Sequence, residues 1–143
     1  MLSVAAAHQA NSSRSVRRYV ALKIEVAKPQ DTNQLSIQRH LAQRSPQDVD
    51  SQFIVALLDS FIQEGPNGRH QCLVLEVMGP SISSVLNAPQ VEYDPRNSQP
   101  RRFPTRQTKA ILRNVLCGIR FLHSSGVVHG DLQSGNMLLL SGA

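Results

Sequence analysis

The chain has 143 residues, of which 41% are hydrophobic, and carries a formal net charge of +5. This length suffices for one hydrophobic core, and no apolar run reaches the roughly 18 residues of a membrane span, so a membrane partner is not expected. Two cysteines without metal-ligand spacing exclude a disulfide framework, and the start of the chain lacks the basic and apolar regions of a secretory signal. We therefore expect an intracellular, reducing compartment.

The positive charge comes almost entirely from arginines that are scattered through predicted loops. Only 4% of the residues are aromatic, so few side chains are available to stack on bases. Solvated loop arginines explain the charge without a nucleic acid, and no direct nucleic-acid binding is expected.

The first third of the chain predicts two strands and a helix. An apolar run over residues 2–7 is typical of a short strand, and residues 18–26 alternate polar and apolar side chains as a half-buried strand does. Lys23 lies on this second strand, where a simply solvated lysine is the alternative interpretation. Residues 34–44 predict a helix with Leu35, Ile37 and Leu41 near one side.

The next segment predicts a β-hairpin. Residues 45–51 are polar and contain a proline, which predicts a surface loop, and residues 53–62 predict a strand. Asn67-Gly68 between apolar runs favours a tight turn. The return strand over residues 71–78 is almost continuously apolar, so we expect it at the centre of a sheet.

After Gly79-Pro80 the pattern turns helical. Ser81 is predicted to cap a short helix that ends near Leu86, and residues 87–104 are too polar and proline-rich to be anything but an exposed insert. A long helix is predicted over residues 105–124, ended by Gly126. Its apolar stripe comprises Ile111, Val115, Ile119 and Leu122 and is widened by Leu112 and Leu116. We expect this stripe to be only partly covered, which would make the chain prone to association.

A loop with possible chemistry follows over residues 127–140. His129 is followed by Asp131 two residues later and by Asn136 five residues after the aspartate, between apolar segments that predict short strands. A carboxylate can accept a hydroxyl proton and a nearby amide oxygen can bind a metal, which is the layout of a phosphotransferase loop. The alternative is a turn between two buried strands, with Asp131 and Asn136 capping backbone groups and His129 in the core.

The order of these elements resembles the N-lobe and the first part of the C-lobe of a eukaryotic protein kinase, and in detail the SR-protein kinase family in its fungal branch. The resemblance implies an α+β fold: an antiparallel N-lobe sheet with one helix, then a long C-lobe helix and the catalytic loop. Residues 1–79 would form the N-lobe and hinge, and residues 80–143 the start of the C-lobe. The motifs that carry it are Val20-Ala21-Leu22-Lys23, residues 57–61 with 65–68, residues 73–80, and residues 118–123 leading to His129-Gly130-Asp131.

The resemblance also implies roles for individual residues. Lys23 would bind the phosphates of ATP, and the backbone of the hinge from Glu76 to Gly79, at Glu76 and Met78, would bind the adenine. Asp131 would be the catalytic base and Asn136 a Mg²⁺ ligand. The implied reaction is transfer of the γ-phosphoryl group of ATP to Ser or Thr. In the family the substrates are Arg-Ser-rich splicing proteins, which implies mRNA processing in the cytoplasm, the nucleus or both.

Several positions depart from the family pattern. No Gly-x-Gly-x-x-Gly precedes Lys23, as if the chain began just after that loop; Gln34 stands where a glutamate pairs with the lysine. Gly130 replaces the usual arginine and Gln133 the usual lysine of the catalytic loop, and no Asp-Phe-Gly site follows before Ala143. Because each lost electrostatic contact lowers the rate, we expect this truncated chain to have little or no phosphotransfer activity.

Two other functions remain open at this point. The chain could be a pseudokinase fragment that binds a nucleotide or a partner without chemistry, which Gln34 and Gln133 favour. It could also be a small-molecule kinase of the aminoglycoside or choline type, because His-Gly-Asp-Leu-x-x-Gly-Asn resembles the loop of those enzymes. The Val-Ala-Leu-Lys strand and residues 121–129 favour a protein kinase over this second alternative.

Overall fold

The computed structural model describes residues 2–8, 17–25, 33–88 and 102–140. The chain divides into two compact units, Met1–Val77 and Met78–Ala143. Residues 89–101, which make up most of the predicted insert, lie outside the described residues. None of the described helices is long and apolar enough to cross a membrane.

The first unit contains four strands, β1 (Leu2–His8), β2 (Arg17–Ile24), β3 (Leu57–Gly65) and β4 (Gly68–Leu75). They form one antiparallel sheet in the order β1-β2-β4-β3. Strand β4 therefore has a neighbour on both sides, and its residues Cys72, Leu73 and Leu75 are buried. The expectation of a central return strand is confirmed, because a strand shielded in this way can be apolar almost throughout.

The predicted hairpin between β3 and β4 is present, and its turn lies within one residue of the predicted place. Gly65 pairs with Gly68, so Pro66 and Asn67 form a two-residue loop. Gly68 has a φ of 109°, a conformation that glycine adopts without the steric penalty of a β-carbon. The loop therefore lies one residue before the predicted Asn67-Gly68 pair, with Asn67 in the loop and Gly68 as the first residue of the return strand.

The start of β3 differs from the sequence expectation. Residues 45–47 and 49–53, predicted as surface loop and strand, form two short 3₁₀-helices, and the strand begins only at Leu57. The carboxylate of Asp48 accepts a hydrogen bond from the Asp50 amide at 2.8 Å, and such local bonds compete with strand pairing. Asp50 is buried, so this segment is not a simple solvated loop.

Helix α1 (Gln34–Arg44) has the predicted bounds. Leu35 packs against the buried cluster of Ala21, Leu73 and Leu75, which forms the core of this unit. Leu41 is buried, whereas Ile37 is 39% exposed and contributes less to the core than its predicted place suggested.

The second unit contains the predicted short and long helices. The Ser81 hydroxyl accepts a hydrogen bond from the Ser84 amide at 3.1 Å and caps α2 (Ile82–Leu86). Helix α3 (Thr105–Ser124) follows Pro104, and Gly126, with a φ of 74°, comes after its last turn. Both boundaries confirm the predicted capping signals.

The apolar stripe of α3 is unevenly covered. Phe121 and Leu122 are buried, and Ile111, Val115 and Ile119 are half-buried. The two widening residues, Leu112 and Leu116, are 53% and 65% exposed. They line an open groove together with Lys109, Arg113, Cys117 and Arg120.

Candidate functional site

Lys23 lies on β2, one residue before the end of that strand. Strand β2 pairs with both β1 and β4, and Lys23 faces Leu2 on one side and Leu73 on the other. Its ammonium Nζ donates a hydrogen bond to Gln34 Oε1 at 3.0 Å. Lys23 is half-buried and has a defined partner, so it is not simply a solvated lysine.

Gln34 can accept this bond because of where α1 begins. It is the first residue of the helix, and the backbone amide of Ile37 bonds to the carbonyl of Asn33 to form the first turn. A glutamine orients the ammonium without neutralising it, whereas a carboxylate would add the charge-assisted part of the hydrogen bond. The glutamine that stands in place of the family's glutamate therefore still contacts Lys23 directly.

Glu76 is tied to the segment that leads into β3. Its carboxylate Oε1 accepts a hydrogen bond from the Ala56 amide at 2.7 Å, and its own amide donates to the Ala56 carbonyl at 3.2 Å. These bonds occupy the Glu76 amide and leave its carbonyl for another donor. Met78, the other predicted hinge residue, is half-buried and belongs to the second unit.

The predicted catalytic loop is held by main-chain hydrogen bonds within the second unit. Gly79 donates to the Leu139 carbonyl at 2.8 Å and Leu139 donates to Pro80 at 3.1 Å. Ile82 donates to Met137 at 2.9 Å and Ser83 donates to Ser134 at 3.2 Å. This set of bonds between residues 79–83 and 134–139, which we call the backbone ladder, fixes the second half of the loop.

The strands expected on either side of the loop are absent from residues 127–140, apart from one isolated bridge between Ser81 and Leu138. Val128 is 79% exposed and Leu140 is 63% exposed, so the apolar residues here are not buried strand residues. The prediction of two strands was wrong because short apolar runs do not specify strands without a pairing partner. His129 is also exposed and is not a core histidine.

Asp131 and Asn136 are in direct contact. Asn136 Nδ2 donates to the Asp131 carboxylate Oδ2 at 2.8 Å and to the Asp131 carbonyl at 2.9 Å. The second bond is the kind of backbone cap that the structural alternative predicted, but the first joins the two side chains of the predicted site. With its nitrogen turned to Asp131, Asn136 keeps its amide oxygen for another ligand.

The donor set fits a hard divalent cation in part. Mg²⁺ prefers oxygen ligands and is commonly held by one or two protein side chains together with phosphate oxygens. Asn136 offers an amide oxygen beside the carboxylate of Asp131, and both side chains are exposed. Among the described residues, no group of three or more His, Cys, Asp or Glu side chains could hold a metal ion. A cation at this site would therefore also need phosphate oxygens as ligands.

One partner of Asp131 was not anticipated from the sequence. Gln133 Nε2 donates to Asp131 Oδ1 at 2.9 Å and to Oδ2 at 3.1 Å. Gln133 was noted for the lysine it replaces, and no pattern of residues indicated this contact. The turn geometry that creates it, with the Asn136 amide bonded to the Gln133 carbonyl at 2.9 Å, is visible only in the structure.

Comparison with known proteins places these residues in a family. The protein kinase domain model matches residues 4–143. Protein kinase dsk1 of Schizosaccharomyces pombe is 29% identical over 131 residues, and SRSF protein kinase 3 of Homo sapiens is 30% identical over 131 residues. Serine/threonine-protein kinase SRPK of Physarum polycephalum is 30% identical over 125 residues.

The aligned regions cover 88% of this chain for the first two relatives and 85% for the third. They cover only 22% of the length of the first two relatives and 27% of the third, so the chain spans about a quarter of the length of these relatives. The family match favours a protein kinase over the aminoglycoside or choline type of enzyme. The chain therefore belongs to the protein kinase domain family.

Proposed function

We propose that this chain provides the ATP-binding lysine and the catalytic loop of a serine/threonine protein kinase, and that phosphoryl transfer by this site is weak. The observation that carries the proposal is the contact of 2.8 Å between the Asp131 carboxylate and the Asn136 amide on a loop of the expected spacing. Such a pair can accept a hydroxyl proton and bind a cation within the same small region.

The roles are those that the family resemblance implies, and the chemistry of each group is compatible with them. Lys23 binds phosphate oxygens of ATP, and the backbone at Glu76 and Met78 binds the adenine. Asp131 accepts the proton of a Ser or Thr hydroxyl, and Asn136 binds Mg²⁺, which neutralises charge on the phosphates when it is bound. Residues 1–79 correspond to the N-lobe with the hinge, and residues 80–143 to the start of the C-lobe.

Two glutamines, Gln34 and Gln133, account for the weak phosphoryl transfer. Gln34 orients Lys23 at 3.0 Å but contributes no negative charge. Gln133 turns a neutral amide to Asp131, where a lysine would place a cation near the transferred phosphoryl group. The loss of one preorganised electrostatic contact of this kind lowers a rate by about 10²- to 10³-fold.

The substrate class is proposed from the relatives. One of them is named an SRSF protein kinase, and Arg-Ser-rich proteins of the splicing machinery are the corresponding substrates for this chain. Action on such proteins would occur in the cytoplasm, the nucleus or both. The proposal requires neither a nucleic acid nor a membrane as a partner.

Binding of Mg-ATP is the first test. Replacement of Lys23 by methionine should weaken binding of a fluorescent ATP analogue by about tenfold, because a charge-assisted contact to phosphate is lost. The matched control is Lys109→Met, since Lys109 is an exposed lysine on α3. Equal weakening by both variants, or no binding by the unaltered chain, would contradict the proposal.

Transfer is tested separately with an Arg-Ser peptide and labelled ATP. Any transfer should be abolished by Asp131→Ala and increased by Gln34→Glu, which restores the charge beside Lys23. ATP binding that depends on Lys23, combined with no transfer by any variant, would instead support the non-catalytic nucleotide-binding alternative that Gln34 and Gln133 favour.

A further inference from the structure

Three residues on neighbouring strands form a row across the sheet of the first unit. Lys23 on β2 pairs with Leu73 on β4, and Ser60 on β3 pairs with the same Leu73. Residues that pair directly across antiparallel strands place their side chains on the same face of the sheet. Because adjacent strands are about 4.8 Å apart, Lys23 and Ser60 lie on one face about 10 Å from each other. The fully buried Leu73 lies between them.

Helix α1 spans this row and contacts both of its ends. Gln34, the first residue of the helix, accepts the hydrogen bond from the Lys23 ammonium at 3.0 Å. Arg39, five residues later, donates from Nη2 to Ser60 Oγ at 3.1 Å. Five residues advance a helix by about 7.5 Å, so two side chains of one helix can reach both ends of the row. Between these contacts, Leu35 packs against the buried cluster in the middle of the row.

We infer that Arg39 and Ser60 are positioning residues for Lys23: their contact fixes α1 against β3 and thereby keeps Gln34 on the lysine ammonium at the other end of the row. This inference rests on the proposed function, in which Lys23 binds phosphate oxygens of ATP. It adds a contact about 10 Å from that lysine, on a strand that carries none of the proposed site residues.

The three attachments of α1 differ in how well they define its orientation. The amide of Gln34 carries no charge, so its bond to Lys23 lacks the attraction that a carboxylate would add. The packing of Leu35 is hydrophobic and non-directional, and it does not by itself fix the rotation of the helix. The hydrogen bond from Arg39 to Ser60 is directional and limits that rotation. Loss of this bond should therefore release Lys23 from Gln34 while the sheet stays folded.

The test measures the reactivity of Lys23 in the 143-residue chain. A brief pulse of an amine-acylating reagent, followed by mass spectrometry of proteolytic peptides, gives the acylation rates of Lys23 and of the exposed Lys109 in the same molecules. Ser60→Ala should raise the rate at Lys23 relative to that at Lys109 by about two- to fivefold, which corresponds to the loss of one modest hydrogen bond. Binding of the fluorescent ATP analogue should weaken by a similar factor.

Three further variants separate positioning from a general loss of stability. Arg39→Met removes the donor and should reproduce the effect of Ser60→Ala, and the two changes together should have no larger effect than either alone. Ser60→Thr keeps the hydroxyl on a strand, where β-branched residues are favourable, so Lys23 should react as slowly as in the unaltered chain. Arg69→Met is the control for loss of a cation, because Arg69 pairs with Glu64 at 3.2 Å rather than with α1. It should leave the acylation of Lys23 unchanged.

The possible outcomes distinguish this inference from the proposed function. Lys23 that reacts no faster in Ser60→Ala than in the unaltered chain, or a Ser60→Thr variant that behaves like Ser60→Ala, would overturn the inference. Acylation of Lys23 decides this point even in a chain that binds no ATP. The proposed function is decided independently by the comparison of Lys23→Met with Lys109→Met in ATP binding.

Discussion

Gly130 adopts a backbone conformation that other residues avoid, immediately before the predicted catalytic base. Its φ is 76°, in the left-handed region where a β-carbon crowds the following carbonyl. The arginine that the family resemblance places here would have to shift the backbone that presents Asp131. The replacement is thus a change of loop conformation as well as a loss of charge.

Gly130→Ala should lower the free energy of unfolding by about 1 kcal/mol, because alanine is strained at this φ. No atom lies within 4 Å of a β-carbon built at Gly130, so the effect comes from the backbone alone. Gly65→Ala is the matched control: its site is equally open and its φ lies outside the positive range. Urea denaturation that finds the two variants equally stable would contradict this account.

At the scale of single residues, the sequence indicated the candidate site residues better than it indicated the hydrogen bonds between them. The link from Lys23 to Gln34 could be expected from the family resemblance, which places Gln34 where a glutamate pairs with the lysine. The bridge from Gln133 to Asp131 could not, since it depends on the φ of Gly130 and on a turn closed by Asn136. Backbone angles of this kind are not encoded in residue spacing.

The backbone ladder is the element that fixes the catalytic loop, and Gly79 is its tightest point. A β-carbon at Gly79 would lie 3.0 Å from the Leu139 carbonyl oxygen, which Gly79 already holds by a hydrogen bond of 2.8 Å. The oxygen cannot retreat without stretching that bond. Gly79 is therefore required by close approach of two backbone segments.

Gly79→Ala should destabilise the second unit by about 1–3 kcal/mol through overpacking against this oxygen. Hydrogen exchange of the Leu139 and Ile82 amides should accelerate as the ladder opens. Gly135→Ala, in the same loop, should be nearly neutral, because its β-carbon would meet only the Ser83 hydroxyl at 3.7 Å. Equal exchange rates in both variants would exclude the ladder as the support of the loop.

Among the elements, helices were predicted more closely than strands. Helix α1 and helix α3 have boundaries marked by polar or proline residues at one end and, for α3, glycine at the other. The strands β3 and β4 begin and end several residues from their predicted bounds, since apolar runs such as residues 53–58 and 71–78 continue past the paired segment. Pairing partners decide where a strand stops, and they are remote in the sequence.

Across the whole molecule, the net charge opposes self-association, whereas the exposed apolar surface favours it. The charge of +5 makes copies of the chain repel one another, whereas Leu112 and Leu116 offer apolar area on α3. Salt screens the repulsion and leaves the apolar attraction in place. Self-association should therefore increase with ionic strength.

Sedimentation velocity at low and high salt tests this expectation. The double variant Leu112→Gln with Leu116→Gln should remain monomeric at salt concentrations where the unaltered chain associates. Val49→Gln is the control, because Val49 is 78% exposed but lies outside the α3 groove. Association that falls with rising salt would show that charged contacts dominate instead.

Because the backbone ladder is composed of peptide groups only, its hydrogen bonds tolerate changes of side chain at its residues other than Gly79, where a β-carbon would crowd the Leu139 carbonyl. Mutational drift at neighbouring positions can therefore remove catalytic groups one at a time while the course of the loop persists, provided that no proline replaces a donor such as Ile82 or Leu139. The backbone of such a loop can keep its conformation after catalytic side chains have been replaced. The side chains of the loop therefore indicate catalytic turnover better than its backbone conformation does.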